Sequence, residues 1–301
     1  MNTFTSKLAK SVRDPFGFAL HVAGRLRPDW LLSRYLQLAR RQGLGRASFI
    51  LSFDCDTDFD LEVVESVHAR VTELGISPVY AVPGQLLEKG RTQYMRIAAS
   101  GAEFLNHGYF RHCSYDPQTG SYLSSFFYDQ LPRATVQEDI HRGHQAHLAI
   151  MGRTPLGFRA PHFGTFQAPE NLRFLHDILM GMGYLYSSST VPLYGFRRGP
   201  ATEIGSNFYE IPVSGCYDRP CSILDSWSFR FAPERQVNDN DYVKQFIKMI
   251  NFFMRPGAVG LLNCYADPSQ VYDWPEFFEC LQIAAPLAVN SYGAFIKDFN
   301  R

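Results

Sequence analysis

The chain has 301 residues, 46% of them hydrophobic, and its 29 basic residues balance its 29 acidic ones. This length and apolar content suit one large domain or two small ones with an ample core. The balanced charge and the lack of a recognition motif argue against nucleic acid as a partner. Six scattered cysteines in a chain this long indicate reduced thiols rather than a disulfide framework.

The first 46 residues are basic and predict two helices that break near Arg27-Pro28. Residues 1–48 hold nine Lys or Arg and two Asp, a net charge of +7. We interpret residues 1–46 as a helical arm on the main domain; the alternative is peripheral contact with an anionic membrane surface. The arm's apolar face consists of Trp30, Leu31, Leu32, Tyr35, Leu36 and Leu38.

Neither a secretory signal nor an apolar run long enough to span a bilayer is visible, so we expect no transmembrane segment. The cytoplasm is the expected compartment, with peripheral membrane association through residues 1–46 as the alternative.

Strand and helix patterns alternate from residue 47 onward. Such βα repetition over about 250 residues predicts a parallel barrel or a doubly wound sheet, in which the loops at the strand carboxyl ends carry the chemistry. Residues 107–128 form a long aromatic section that we expect to be a functional loop. The predicted strands are 47–53, 78–82, 103–106, 156–159, 184–187, 209–213, 258–263 and 287–289; the predicted helices are 60–74, 85–99, 135–151, 168–182, 242–254 and 275–284.

Three aspartates at alternate positions, Asp54, Asp56 and Asp58, follow the first of these strands. On extended chain, alternate side chains lie on the same side, and closely spaced like charges repel. A bound cation would make this arrangement tolerable. The alternative is a solvated acidic turn in which Asp58 or Asp60 caps a helix.

Two histidines, His107 and His112, follow the third strand. With one carboxylate from Asp54 or Asp56 they make a set that fits a divalent metal with open positions for water and substrate. Such a metal lowers the pKa of a water molecule and polarises a carbonyl, while the second carboxylate is free to act as general base. Arg159, at the end of the fourth strand, could hold a catalytic carboxylate by a bidentate contact.

Taken in order, these motifs resemble the polysaccharide deacetylases, also called NodB-homology carbohydrate esterases. The resemblance covers about residues 47–270 and is specific as an ordered set. It implies a distorted (β/α)7-type barrel over residues 47–301, preceded by the helical arm of residues 1–46. The matching segments are 53–56 (Phe-Asp-Cys-Asp), 75–84, 101–109, 158–161, 186–188, 210–213 and 225–227.

The resemblance also implies a metal, usually zinc, bound by Asp56, His107 and His112, with Asp54 as general base and Arg159 orienting it. The implied reaction is hydrolysis of an N-acetyl group on an amino sugar in a glycan or glycan precursor, with the oxyanion stabilised electrostatically. The residues expected to contact substrate are Pro161, His162, Trp227 and Asn263.

Two features depart from the family pattern. The family's metal histidines are usually four residues apart, whereas His107 and His112 are five apart. The family's late histidine, the general acid, is missing from residues 261–268, where Asn263 or Asp267 takes its place. Asp267 serves as an acid only if burial raises its pKa, and His162 is the other candidate.

These departures leave two alternatives to a sugar deacetylase. One is a hydrolase that uses the same site on a non-sugar cyclic amide. The other is a metal- or glycan-binding protein without turnover.

Overall fold

The computed structural model describes residues 14–231 and 239–299. The basic residues Lys7, Lys10 and Arg13 of the predicted arm lie outside this range. The strands are β1 (Ala47–Asp54), β2 (Val79–Val82), β3 (Phe104–Asn106), β4 (Cys113–Asp116), β5 (Ser121–Ser124), β6 (Gly157–Phe158), β7 (Tyr186–Ser187), β8 (Thr202–Gly205), β9 (Phe208–Glu210) and β10 (Gly260–Ala266).

The helices surround these strands, and single 3-10 turns lie at Tyr128–Gln130 and Ala285–Leu287. They are α1 (Pro15–Leu26), α2 (Pro28–Arg41), α3 (Asp58–Glu73), α4 (Gly84–Lys89), α5 (Arg91–Ala99), α6 (Arg133–Met151), α7 (Pro169–Gly181), α8 (Pro192–Arg198), α9 (Ser226–Arg230), α10 (Asp239–Phe253), α11 (Pro268–Val271), α12 (Pro275–Ala284) and α13 (Tyr292–Phe299).

Eight strands form one sheet in the order β10-β1-β2-β3-β6-β7-β9-β8. Neighbouring strands run parallel except β8 and β9, so seven strands of the described chain are parallel. The chain after β9 reaches back to β10, where the backbone N–H of Ser214 donates to the carbonyl of Asn263 at 2.7 Å. The fold is therefore the predicted distorted α/β barrel.

β1 makes the longest strand pairing of this barrel. It pairs with β10 from Ala47 opposite Gly260 to Phe53 opposite Ala266. Every residue from Ser48 to Asp54 is buried, as expected for a parallel strand covered on both faces. Because parallel strands share their direction, the loops after β1, β3, β6 and β10 meet at one end of the barrel.

The structure adds β8, α8, α9 and α11, which the sequence did not predict, and refines the predicted elements in three places. The helix predicted at 85–99 is divided at Gly90 into α4 and α5, where a side chain would collide with Leu61. The loop at 107–128 contains the antiparallel hairpin β4–β5. The predicted strand at 287–289 is reduced to a single bridge between Phe49 and Ala288, and the unpredicted helix α13 follows it.

The described part of the N-terminal arm packs on the barrel as two helices that break at Arg27-Pro28, as predicted. Leu20, Leu31 and Leu32 are buried in the main core, and the Tyr35 hydroxyl donates to the carbonyl of Leu261 at 2.8 Å. The division into domains at residue 46 stays a prediction. None of the described helices combines the length and the apolar content needed to cross a bilayer.

Candidate active site

Asp56, His107 and His112 converge at the carboxyl end of the barrel. One ligand atom from each lies within 4.8 Å of the others. The Oδ1 atom of Asp56 is 2.9 Å from His112 Nε2 and 3.4 Å from His107 Nε2. Ligands at ordinary zinc distances around a tetrahedral ion are about 3.4 Å apart, so these donors fit a divalent metal.

A backbone contact sets the orientation of the His107 ring. Its Nδ1 donates to the carbonyl of Arg159 at 2.7 Å, because a carbonyl only accepts. The lone pair of His107 therefore belongs to Nε2, the atom that faces Asp56. A hydrogen bond at the far nitrogen is the usual support of a metal-binding histidine.

A loop, rather than a helical turn, brings His112 to the same place as His107. Asp139 of α6 holds this loop, because its Oδ1 accepts from the backbone N–H of Tyr109 at 2.9 Å and of Phe110 at 2.7 Å. Gly108 has a φ of +78°, and a Cβ there would lie 2.2 Å from Asp139. The five-residue spacing is thus compatible with a shared site. Asp139 was not predicted as a site residue, although an acidic residue on the apolar face of a predicted helix was a signal for it.

The charges of this cluster depend on one another. Burial raises the pKa of Asp56, but His112 and His107 outweigh it and hold that pKa well below its usual value. Burial lowers the pKa of His112, but Asp56 outweighs it and the net shift is upward. The cluster is therefore a place where positive charge is strongly favoured.

Asp54 and Arg159 form a buried ion pair beside the cluster. Arg159 Nη1 donates to Oδ1 of Asp54 and, at 2.9 Å, to the hydroxyl of Ser52. Nη2 instead donates to the Tyr292 hydroxyl at 2.9 Å, so the contact with Asp54 is not the bidentate one predicted. The other oxygen of Asp54, Oδ2, is 4.0 Å from His107 Nε2.

Asp58 does not join Asp54 and Asp56, so the expectation that all three share one side was wrong for it. The strand ends at Asp54 and α3 begins at Asp58, which breaks the alternation. Asp58 pairs instead with Arg111 and, at 2.8 Å, with Lys89.

Asp56, His107 and Asp54 open on a cavity of about 540 Å³, whereas His112 and Arg159 are fully buried and do not line it. Six of the predicted site residues line it: Asp54, Asp56, His107, His162, Trp227 and Asp267. The other lining residues, which the sequence analysis did not select as site residues, are Cys113, Ser124, Phe127, Phe163, Thr165, Ile223, Asp225, Ser228 and Tyr265.

Pro161 and Asn263 are buried but do not line this cavity. The Asn263 side chain donates to the carbonyl of Pro212 at 3.0 Å and accepts from the Tyr292 hydroxyl at 2.6 Å. Because the Tyr292 hydroxyl also accepts from Arg159, Asn263 stabilises the Asp54–Arg159 ion pair indirectly, through Tyr292.

Asp267 stands in the cavity wall directly after β10. Burial raises its pKa well above the usual range, and the nearby carboxylates Asp56, Asp60 and Asp54 raise it further. Its Oδ2 accepts from the side chain of Gln270. Asp267 therefore has the pKa raised by burial that a carboxyl group needs in order to act as the proton donor.

His162 has a different environment. Burial and the nearby His112 lower its pKa to about 4, so it is neutral at neutral pH. Its Nε2 donates to the carbonyl of Ser125 at 2.7 Å, and its ring stacks on Phe127 with centroids 4.3 Å apart. Its φ of +58° is uncommon for a residue with a side chain. These contacts hold its ring at the cavity wall.

Aromatic side chains make much of the remaining wall. Tyr265 of β10 packs on Phe163 with ring centroids 4.6 Å apart, and its hydroxyl donates to Asp225 at 2.8 Å. Trp227 follows Asp225 at the start of α9. Tyr265 lies beyond the strand predicted at 258–263, and every residue of β10 is buried, so burial along this strand does not distinguish a cavity residue from a core residue.

Three solved structures share this architecture. One assigned as a polysaccharide deacetylase of Mycobacterium smegmatis is 18% identical with a TM-score of 0.57, covering 84% of this chain and 89% of its own. One assigned likewise from Pseudomonas aeruginosa PAO1 is 11% identical with a TM-score of 0.57, covering 85% and 89%. The chain has the polysaccharide deacetylase fold.

The Puue allantoinase shares that fold as well, at 13% identity and a TM-score of 0.58, covering 85% of this chain and 89% of its own. No family model and no curated protein matches the sequence. The resemblance drawn from the motifs is therefore confirmed at the level of the polysaccharide deacetylase fold.

Proposed function

We propose that this protein is a member of the polysaccharide deacetylase family that removes N-acetyl groups from an amino sugar in a glycan or glycan precursor. The bond cleaved is a carbon–nitrogen bond outside a peptide. One observation carries the proposal: the Asp56–His107–His112 cluster lies beside a separate Asp54–Arg159 pair, and Asp54, Asp56 and His107 open on one cavity. A ligand set and a distinct base are the two parts that metal-assisted amide hydrolysis needs.

A divalent metal such as zinc, held by Asp56, His107 and His112, would lower the pKa of a water molecule and polarise the amide carbonyl. Asp54 accepts the proton of the attacking water. Its Oδ1 is engaged by Arg159, so Oδ2, the oxygen nearer His107, is the one left for that proton. Arg159 compensates the charge of Asp54 and fixes its orientation.

The departing amine needs a proton, and Asp267 supplies it. Its raised pKa favours the protonated carboxyl, and because Oδ2 accepts from Gln270, Oδ1 is the oxygen left to carry the proton to the substrate. A cation at the cluster would weaken the effect of Asp56 on the pKa of Asp267. Burial, the largest cause of the raised pKa, would remain. His162 is neutral, and its Nε2–H is engaged by Ser125, so we assign it to substrate contact.

The test combines metal content with a substrate panel. We expect about one divalent metal per chain by elemental analysis, in keeping with a single ligand set. Acetate should be released from N-acetylated amino sugars, and chelation should abolish this release until zinc is restored. The variant His141→Ala, on the outer part of α6, is the matched control and should behave as wild type.

The other outcomes separate the rival functions. Activity that survives complete metal removal would contradict the proposal. Ring opening of a cyclic amide such as allantoin, without acetate release from any sugar, would favour the second function, which the allantoinase of the same fold supports. Bound metal without turnover on either class would indicate a binding protein.

A further inference from the structure

α1 is apolar around almost its whole circumference, with His21 and Arg25 as its polar exceptions. A helix of this kind is expected to be buried on every side. Here only Gly17, Leu20 and Gly24, on one side, are buried. The opposite side is left exposed to solvent.

The exposed side carries a row of large apolar residues. Phe18, Val22 and Leu26 are spaced four apart and so share one helix face, and Trp30 follows at the start of α2. Their exposed fractions are 44%, 40%, 75% and 52%. We call these four residues the apolar row. Single exposed apolar residues are ordinary, whereas a contiguous row marks a contact surface.

Two arginines accompany the apolar row. Arg25 and Arg27 flank Leu26 in sequence, and Arg25 is two turns from Phe18 and therefore on the same side. Both are exposed, and neither guanidinium group has an ion-pair or hydrogen-bond partner within residues 14–231 and 239–299. The combination of large apolar side chains, a tryptophan and free arginines is complementary to an anionic lipid surface.

The acidic groups of the same segment offset these arginines only in part. Asp14 is neutralised by its ion pair with Arg197, whereas Asp29, which accepts from the hydroxyl of Tyr217, keeps its charge and offsets one of the two arginines. The local charge beside the apolar row is therefore positive. This charge, next to exposed apolar side chains and a tryptophan, favours an anionic lipid surface over neutral lipid or a second positively charged copy of the same row.

The inner side of α1 is attached to a loop that borders the cavity. Gly24 lets the helix approach Leu31 and Pro220, and the Cys221 thiol donates to the carbonyl of Leu20 at 3.9 Å. The same loop leads to Ile223, which lines the cavity. The apolar row is thus carried by a helix fixed to the rim of the candidate active site.

We propose that α1 and the start of α2 dock this protein on an anionic membrane surface. The apolar row enters the interfacial region of the bilayer, while Arg25 and Arg27 contact lipid phosphates. The observations are independent of those that support the hydrolase, so this proposal does not depend on that function. If both hold, the geometry points to an amino-sugar substrate carried on lipid.

The experiment is co-sedimentation of the full chain with vesicles, either of phosphatidylcholine alone or with about one third phosphatidylglycerol, at about 0.1 M salt. Wild type should bind the anionic vesicles and release them at high salt. The variant Leu26→Ser/Trp30→Ser should bind at least about tenfold more weakly. Arg25→Gln/Arg27→Gln should lose the preference for anionic lipid. Met95→Ser, which changes a residue 45% exposed on α5, is the matched control.

These substitutions are on the surface, so unchanged unfolding temperatures should confirm that each variant is folded. Wild type that does not sediment with anionic vesicles would overturn the proposal, as would equal binding by the row variants and the control. A dimer in sedimentation equilibrium that the row variants dissociate would also overturn it, because the occupant would then be a second copy. Acetate release from a soluble sugar should be unaffected by the row variants, which keeps this test separate from that of the hydrolase.

Discussion

Two buried histidine–carboxylate pairs in this barrel have the same separation and different surroundings. His112 Nε2 is 2.9 Å from Asp56, and His176 Nε2 is 2.9 Å from Glu210. Both carboxylates are at or just beyond the carboxyl end of a parallel strand, β1 for Asp56 and β9 for Glu210. Neither the separation nor the strand position distinguishes them.

The remaining contacts do distinguish them. Glu210 Oε1 accepts from the backbone N–H of Ser189 and Thr190 and from the Thr190 hydroxyl, at 2.9 to 3.0 Å, while Oε2 accepts from His176. Both oxygens of this carboxylate accept hydrogen bonds from buried donors, so its role is structural. The pair lies away from the cavity lining.

Asp56 has the opposite arrangement. Its Oδ1 faces two histidines, and its Oδ2 has no hydrogen-bond partner among the residues that the structure describes. It also opens on the cavity. An unsatisfied carboxylate with convergent donors beside a cavity indicates function, whereas a satisfied one indicates stability.

The largest expected effect separates the two histidines. His112→Ala should lose the bound metal and reduce acetate release by several orders of magnitude, because it removes a ligand of the proposed metal centre. His176→Ala should keep about one metal per folded chain, because its partner carboxylate lies outside the cavity. Elemental analysis and initial rates on both purified variants measure this difference. If His112→Ala kept the metal, or if folded His176→Ala lost it, the two histidines would not differ in function as proposed.

The next effect concerns the acid. Asp267→Asn should keep the metal and lower kcat by about 10²–10⁴-fold, because an amide cannot donate the proton. In wild type, activity should be present while Asp267 is protonated and be lost as the pH rises through its elevated pKa. The variant should lack that alkaline limb in a kcat–pH profile. A wild-type limb that persists in Asp267→Asn would assign the acid to another group.

The smallest effect belongs to the structural pair. Glu210→Gln should lower the free energy of unfolding by about 3–5 kcal/mol, because it removes a buried charge that several donors surround. Urea denaturation measures this loss, and Glu138→Gln, an exposed carboxylate on α6, should change stability by less than about 0.5 kcal/mol. Folded Glu210→Gln should still bind metal. Unchanged stability would mean that the hydrogen bonds to Glu210 contribute little.

Local pattern explains why much of this molecule was predictable. The run from Ser48 to Phe53 predicts a buried strand, and the alternation that follows predicts parallel βα units whose carboxyl ends meet. These predicted units are enough to place four site residues at one end of the barrel: Asp54, Asp56, His107 and Arg159. Pro28 and the residue before it, Arg27, likewise predicted the break between α1 and α2.

The sequence pattern could not identify which of three residues is the general acid: Asn263, Asp267 or His162. All three stand at or near strand ends, but their chemistry depends on burial and partners from distant segments. Asn263 is bonded to Pro212 and Tyr292, and His162 to Ser125. Only Asp267 combines a position in the cavity wall with a raised pKa.

The sequence by itself determined the parallel βα architecture, the order of its functional loops and the types of residue that those loops carry, because hydrophobic period and turn residues are local. The tertiary structure alone decided that a five-residue gap still joins two histidines, that Asp58 leaves the cluster, and that Glu210 is structural. The physical reason is that the contacting residues are far apart in the sequence. Asp56 meets His112 across 56 positions and Asp54 meets Arg159 across 105, and whether a buried oxygen is satisfied is settled only when such distant segments pack together.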